Sequence, residues 1–304
     1  MRKINFTLIV IILIQSFLLA QNNDELYLGQ IPPKNIAIPF HLGDFLDTEY
    51  NSRRSFNFTF SPDGKEMFFS YIKTFDDSPN PEFTYQIKTS EYKNNEWTLP
   101  KLALFSYSEW NVDINFSPDG KYVFFASEIM YPDSFGADIY YCEKCKNGWS
   151  KPMNTMIPNN EIGDEVYPSL SRKNNMFFRS TRNGGYGESD LYRVEWRDKK
   201  FINLQNLGPN INTEYGESNS VISPDESYIL FVSSRENDGG DQQIYISFQI
   251  GENIWTKAQK LPPFINSGST GAPTITTDGK YLFFRNNKRV KWISTDFIIG
   301  MKTN

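Results

Sequence analysis

One histidine and two cysteines in 304 residues leave little material for imidazole, thiolate or zinc chemistry. A Ser-His-Asp hydrolase needs an imidazole to accept a proton, and His41 is the only one present. It falls in a segment that reads as an outer strand, so we expect a partly exposed strand residue rather than a catalytic base. Zinc takes about four ligands, and Cys142 and Cys145 have no third cysteine to join them. No Gly-x-Ser-x-Gly elbow, His-Glu-x-x-His pair or phosphate-binding loop occurs, so neither a metal nor a cofactor is expected. Amphipathic patterns with a 3.6-residue period are absent too, which excludes helical solenoids.

Basic residues are outnumbered. Lys and Arg total 31 against 36 Asp and Glu. The chain opens Met1-Arg2-Lys3, continues with an apolar run from Ile4 to Ile14, and reaches small and polar residues at Ala20-Gln21-Asn22. This is the layout of a secretory signal, with cleavage expected after Ala20; an uncleaved anchor is the alternative. Removing residues 1–20 takes away Arg2 and Lys3, leaving 29 basic residues and a net charge of −7. Nucleic acid is an improbable partner for such a surface. No later run is apolar enough to span a membrane, so the expected address is periplasmic or extracellular. The expected division is a signal peptide over 1–20, an N-terminal extension over 21–35 and one domain over 36–304.

What the chain has in quantity is aromatic residues, at 16%, with Gly and Pro at short intervals, a composition that favours many short strands. A repeat organises them. Phe60-Ser61-Pro62-Asp63-Gly64-Lys65 precedes Met67-Phe68-Phe69, and Phe116-Ser117-Pro118-Asp119-Gly120-Lys121 precedes Val123-Phe124-Phe125. Weaker copies start at Ser171, Ser223 and Thr276, giving spacings of 56, 54, 52 and 53 residues. Each copy carries hairpin chemistry: Pro presets φ, Asp bonds the backbone ahead, and Gly takes a positive φ. The flanking apolar runs read as strands a and b. A third run, such as Asp138-Ile139-Tyr140-Tyr141 or Asp190-Leu191-Tyr192, reads as strand c. A fourth, opening on Trp97, Trp149, Phe201 or Trp255, reads as strand d.

Four antiparallel strands repeated at this period predict an all-β protein, a β-propeller of four-stranded blades. The fifth copy runs out of chain before its strand d. The segment Ala37-Ile38-Pro39-Phe40-His41-Leu42 resembles Lys260-Leu261-Pro262-Pro263-Phe264, which suggests that the N-terminal segment completes the last blade. That arithmetic predicts five blades, with six as the alternative if residues 21–55 or an insertion form another.

The Ser-Pro-Asp-Gly-Lys turns with aromatic strand b, the Asp-Ile/Leu-Tyr strand c and the Arg182-Asn183-Gly184-Gly185-Tyr186-Gly187 loop resemble the WD40-like propeller repeats of the TolB type. The resemblance runs from about Ile36 to Phe297. It implies a propeller fold; such repeats occur in exported bacterial proteins, some fused to peptidoglycan-binding domains.

Candidate site residues follow from the repeat position. Glu165 and Glu217 each sit six residues before their turn serine, and Asp113 four before its own, at the same repeat position as Asn57, Tyr167 and Asn219. If strand a is innermost, these six residues ring one mouth of the axis and form the candidate ligand-binding set. Two of the acids at about 5 Å, or at about 6.5–9.5 Å, would suit a retaining or an inverting glycosidase; the alternative is water-bathed, channel-lining polarity. Cys142 and Cys145 form either a local disulfide or two free thiols. Asp238-Gly239-Gly240-Asp241 reads as a calcium loop or an ordinary turn. Tyr107, Trp110, Tyr131, Phe135, Tyr186 and Tyr215 fall in loops, where large rings suit recognition. Two functions are thus expected in order: a non-enzymatic, exported binding or scaffold propeller engaging a protein or cell-envelope polysaccharide partner through loops on one face, and a carbohydrate-active hydrolase or lyase using the mouth acids.

Overall fold

The computed structural model describes residues 26–42, 55–74, 83–106, 108, 110–128, 136–158, 163–235, 242–287 and 289–302. The signal segment expected over 1–20, the Asp238–Asp241 loop, Tyr107, Tyr131 and Phe135 lie outside these residues. Five antiparallel sheets form five blades of a β-propeller. Their inner strands are Ser55–Phe60, Asn111–Phe116, Glu165–Leu170, Glu217–Ile222 and Thr270–Ile275, taken here as strand a of blades 1 to 5. Each inner strand lies against those of the neighbouring blades, and the fifth lies against the first. Five blades, not six, therefore complete the circle.

The turns between strands a and b work as their residues dictate. In blade 1 the Ser61 hydroxyl donates to Asp63 Oδ1 at 2.5 Å, the Lys65 amide donates to the same oxygen at 3.1 Å, and the Glu66 amide donates to Ser61 Oγ at 2.9 Å. Gly64 takes φ +69°. The same bonds recur at Ser117, Ser223 and Thr276. Partial burial pushes the aspartates of these turns up, but the hydroxyl and amide donors outweigh it and leave Asp63, Asp119, Asp225 and Asp278 below the usual carboxylate range.

Blade 3 lacks that aspartate, having Lys173 in its place, and blade 4 lacks the glycine, having Glu226 at φ +64°. The two departures compensate each other. Glu226 Oε1 accepts from the Ser171 hydroxyl and, at 2.7 Å, from Asn175 Nδ2, so the carboxylate of one turn serves the turn of the neighbouring blade.

The middle of strand b is apolar at consecutive positions, as in Met67-Phe68-Phe69 and Val123-Phe124-Phe125, because blades cover both of its faces. Alternate residues serve successive interfaces. Phe125 packs toward blade 1 with Phe68 and Phe105, whereas Phe124 packs toward blade 3 with Met176 and Phe178. Strand d departs from the single run expected of it. In blades 1, 2 and 4 it consists of two short pieces, for example Glu96–Trp97 and Lys101–Leu102. At each break a hydroxyl follows the tryptophan and accepts a strand-c amide: Thr98 from Glu91 at 3.1 Å, Ser150 from Glu143 at 3.0 Å, Thr256 from Phe248 at 3.0 Å. Blade 3 has Phe201-Ile202 instead, and its strand Lys200–Asn206 runs through.

The N-terminal segment closes the ring as expected. Ile38–Pro39 pairs antiparallel with Arg289–Ser294, Ile38 opposite Trp292; the Phe40 amide donates to Val290 O at 3.0 Å, and the Ser294 amide donates to Lys34 O at 3.0 Å. Phe40 then fills the interface between blades 5 and 1, its ring 5.0–6.2 Å from those of Phe58, Phe60, Phe283 and Trp292. Tyr27 caps the same cluster. His41 is exposed just beyond this strand, its backbone bonded on both sides by the Gln30 amide group. Truncating Phe40 to Ala empties a buried ring site and is expected to cost about 3–5 kcal/mol in urea unfolding. Ile36→Ala, at a position 76% exposed, serves as the neutral control.

Candidate functional site

The six candidate site residues divide into two sets with different surroundings. Asn57, Asp113, Tyr167 and Asn219 do meet on the axis. Together with Ala272 they occupy the same place on all five inner strands, each with φ between +43° and +59°. Each inner strand carries a bulge there, where its pairing with strand b slips. The bulges turn the side chains into a small cavity of about 30 Å³, lined also by Asn115, Ser220 and Thr274.

Bonds run from blade to blade around this ring. Asn57 Nδ2 donates to Asp113 Oδ1, the Tyr167 amide donates to the Asp113 carboxylate, and the Tyr167 hydroxyl bonds the Asn219 side chain. Full burial pushes Asp113 up to about 7, although those donors and the Arg179 guanidinium pull the other way. Burial likewise raises the Tyr167 phenol, which the nearby Asp113 reinforces. The Ser220 hydroxyl, buried at the cavity wall, has no partner among the described residues. A space of this size with such donors and acceptors suits one water molecule and is far too small for a sugar ring.

Glu165 and Glu217 do not line the axial cavity. Each is fully buried inside its own blade, against an arginine two residues beyond the end of strand b. Arg182 Nη2 lies 3.1 Å from Glu165 Oε1, and Ser180 Oγ donates to the same oxygen at 2.6 Å. In blade 4, Arg235 Nη2 is 2.9 Å from Glu217 Oε1, with Ser233 and Thr213 donating at 3.0 and 2.7 Å. The guanidinium groups stack over strand-b and strand-c rings, Arg182 on Phe178 and Tyr192, Arg235 on Phe231 and Tyr245. Burial pushes Glu165 up to about 7, opposed by Ser180 and Arg182, and it raises Glu217 as well.

The corresponding place in blade 2 holds neutral Asn111, bonded by Ser127 Oγ at 3.1 Å; in blade 5, Thr270 Oγ1 accepts from Asn286 at 3.2 Å. One structural position is thus filled by an ion pair in two blades and by neutral groups in two others. The arginine partners were not singled out from the sequence. Their signal is the repeated Ser180-Thr181-Arg182 and Ser233-Ser234-Arg235, each arginine 17 or 18 residues after its glutamate.

The disulfide alternative is corrected: Cys142 and Cys145 are free. They lie three apart on the strand Asp138–Cys145, so their side chains leave opposite faces, Cys142 into the core and Cys145 to solvent. Burial pushes the Cys142 thiol up to about 12. Among the described residues no group of three or more His, Cys, Asp or Glu side chains is placed to hold a metal ion.

The inner strands begin on the face that also carries the loops between strands b and c. The Arg182–Gly187 loop is fixed there by Asp190, whose carboxylate accepts the Tyr186 and Gly187 amides at 2.7 and 3.2 Å. Gly187 lies so close to blade 4 that a Cβ would come within 2.3 Å of the carbonyl oxygens of Thr213 and Tyr215. Tyr186 projects from this loop with half its surface free, Tyr215 is half-buried beside it, and Trp110 packs edge-on against Tyr85 of the preceding blade.

No family model and no curated protein matches this chain. Solved structures of similar shape include TolB from Acinetobacter baumannii, with TM-score 0.44, 18% identity, and coverage of 74% of this chain and 47% of that one. The hydrazine synthase of Kuenenia stuttgartiensis gives TM-score 0.47 and 14% identity over 84% of this chain and 80% of that one. An alpha-L-arabinofuranosidase from Lactobacillus brevis gives 0.42 and 15% over 71% of each. This chain therefore spans about half the length of the TolB structure, and the likeness in each case is one of propeller shape.

Two measurements check the assignment of these groups to the framework. Glu217→Ala leaves the largely buried Arg235 guanidinium without its carboxylate and is expected to lower unfolding stability by about 3 kcal/mol. Asp113 has a folded pKa above its unfolded value of about 4, so between pH 4 and 7 the folded state holds a proton that the unfolded chain has released. Stability should fall as pH rises through that window, by at most about 4 kcal/mol from this group. Asp113→Asn should flatten the melting temperature between pH 5 and 8, and an unchanged slope would show that Asp113 is not the group responsible.

Proposed function

We propose that this chain is a non-enzymatic binding propeller that engages a protein or cell-envelope polysaccharide partner through loops on the face where the inner strands begin. The observation that carries this reading is the state of the acids. Asp113 closes an axial cavity the size of a water molecule, and Glu165 and Glu217 are held by buried arginines inside the blades. Acids so placed cannot flank a glycosidic bond, which removes the support for the hydrolase or lyase reading. Support for the loop face comes from Tyr186, an exposed ring on a loop held rigid by Asp190, beside Tyr215. Rigid aromatic side chains lose little entropy on binding and give large contact areas.

Export to the periplasm or beyond belongs to this proposal and rests on the first twenty residues. No helix among the described residues is long and apolar enough to cross a membrane.

Cell-envelope proteins and polysaccharides retained on the immobilised chain provide the test. Retention should drop about tenfold or more for Tyr186→Ala, at the level expected for a central aromatic anchor. Reducing-end release from those polysaccharides should stay at background. Turnover that disappears in Glu217→Gln, with the fold intact by circular dichroism, would overturn the proposal in favour of an enzyme.

A further inference from the structure

On the outer rim, at the end of the propeller opposite the b–c loops, a groove of about 560 Å³ runs between blades 1 and 2. That volume lies in the range of ligand-binding clefts. One wall is the outer segment of blade 1 from Lys101 to Phe105, and the other is the hairpin of blade 2 from Lys144 to Trp149. We infer that this groove is a docking site for an extended acidic peptide segment of a partner protein, with leucine-like side chains seated between its carboxylates.

Charge carries the first part of the argument. Lys93, Lys101, Lys144 and Lys146 line the groove against only Glu66 and Glu91, on a molecule whose acids outnumber its bases. The two glutamates are already engaged, Glu91 by Lys93 and Lys101, and Glu66 by Lys144 at 3.2 Å and by Trp149 Nε1 at 2.9 Å. The groove therefore carries an excess of two positive charges on a chain whose net charge is negative, which favours an anionic ligand.

Apolar surface carries the second part. Leu102 and Leu104 are 43% and 85% exposed at the groove wall, although leucines at the outer edge of a blade gain nothing from water. The Trp149 ring forms the opposite wall with Lys144 5.4 Å above it. Lysines interleaved with apolar seats match a peptide carrying both carboxylates and aliphatic side chains; an anionic polysaccharide offers no counterpart to the leucines. The third observation is Thr89, more than nine-tenths buried on the groove floor, whose hydroxyl has no hydrogen-bond partner among the described residues.

This site is remote from the loop face of the proposed function, so its test stands or falls separately. The probe is a capped synthetic peptide of alternating Leu and Glu or Asp, about eight residues long, titrated calorimetrically into the full chain. A second readout is a fluorophore on Cys145, which lies at the groove and is exposed while Cys142 is buried. Saturable binding with a change in Cys145 fluorescence is expected, weakened about tenfold by Lys101→Glu combined with Lys146→Glu, and similarly by Leu104→Ser or by replacing the peptide leucines with serine. These side chains are exposed, and an unchanged melting temperature confirms that the variants fold. Absence of saturable binding would overturn the proposal. So would equal binding by the lysine variants, undiminished binding of the serine peptide, or equal affinity for polygalacturonate, which would assign the groove to polyanions at large.

Discussion

A propeller cut from one chain has two raw ends, and this one holds its ring together with a few backbone hydrogen bonds and one aromatic cluster. Blade 5 has only three strands of its own. The fourth comes from the other end of the described chain, through Ile38–Pro39 on Arg289–Ser294, and Phe40 seals the seam against Phe58, Phe283 and Trp292. Without that strand the outer edge of Arg289–Ser294 would present unpaired amides and carbonyls, and the interface between blades 5 and 1 would open to water. Because each inner strand leans on both neighbours, a failure at the seam removes support from the axial ring as well.

The same geometry explains how the charged groups are bonded. At the axis, five bulged strands converge with their backbone ladders interrupted, and polar side chains supply bonds that the ladders cannot make across blades. Asn57, Asp113, Tyr167 and Asn219 form such a belt. At the start of the inner strands, Glu165 and Glu217 pair with Arg182 and Arg235, which follow strand b by two residues. The turns show how tolerant this scheme is. Where blade 3 has no aspartate, Glu226 of blade 4 supplies the bond to Ser171 across the blade interface. The framework requires least of the side chains at the periphery, where both proposed binding surfaces lie: the loop face around Tyr186 and the lysine-lined groove on the rim.

Much of the architecture was legible because it repeats. The spacing of Ser61, Ser117, Ser171, Ser223 and Thr276 counts blades directly, and the missing fourth strand after Trp292 points to its supplier at the opposite end. The site was only half legible. Repeat position placed Asn57, Asp113, Tyr167 and Asn219 on one ring, since equivalent residues of equivalent strands must be related by the axis. It could not tell inward from sideways. Glu165 and Glu217 lie two residues before the ring on the same strands, yet the bulge between them breaks the alternation that would give both positions the same direction. The cysteine pair was undecided for a similar reason: a Cys-x-x-Cys spacing suits a turn, whereas a strand running on to Cys145 separates the two thiols. The groove had no sequence signature, because its walls come from two blades some forty residues apart.

Native-state hydrogen exchange of the Phe40 and Ser294 amides tests the closing strand most directly. Both donate across the seam, to Val290 and Lys34. If the non-covalent strand holds the ring together, these amides exchange only through global unfolding, with the same free energy as the core amide of Phe177 in blade 3. Exchange at the seam that is orders of magnitude faster than at Phe177, at the rate of a frayed terminus, would contradict the account and make the fifth blade a three-stranded sheet with a loosely attached tail.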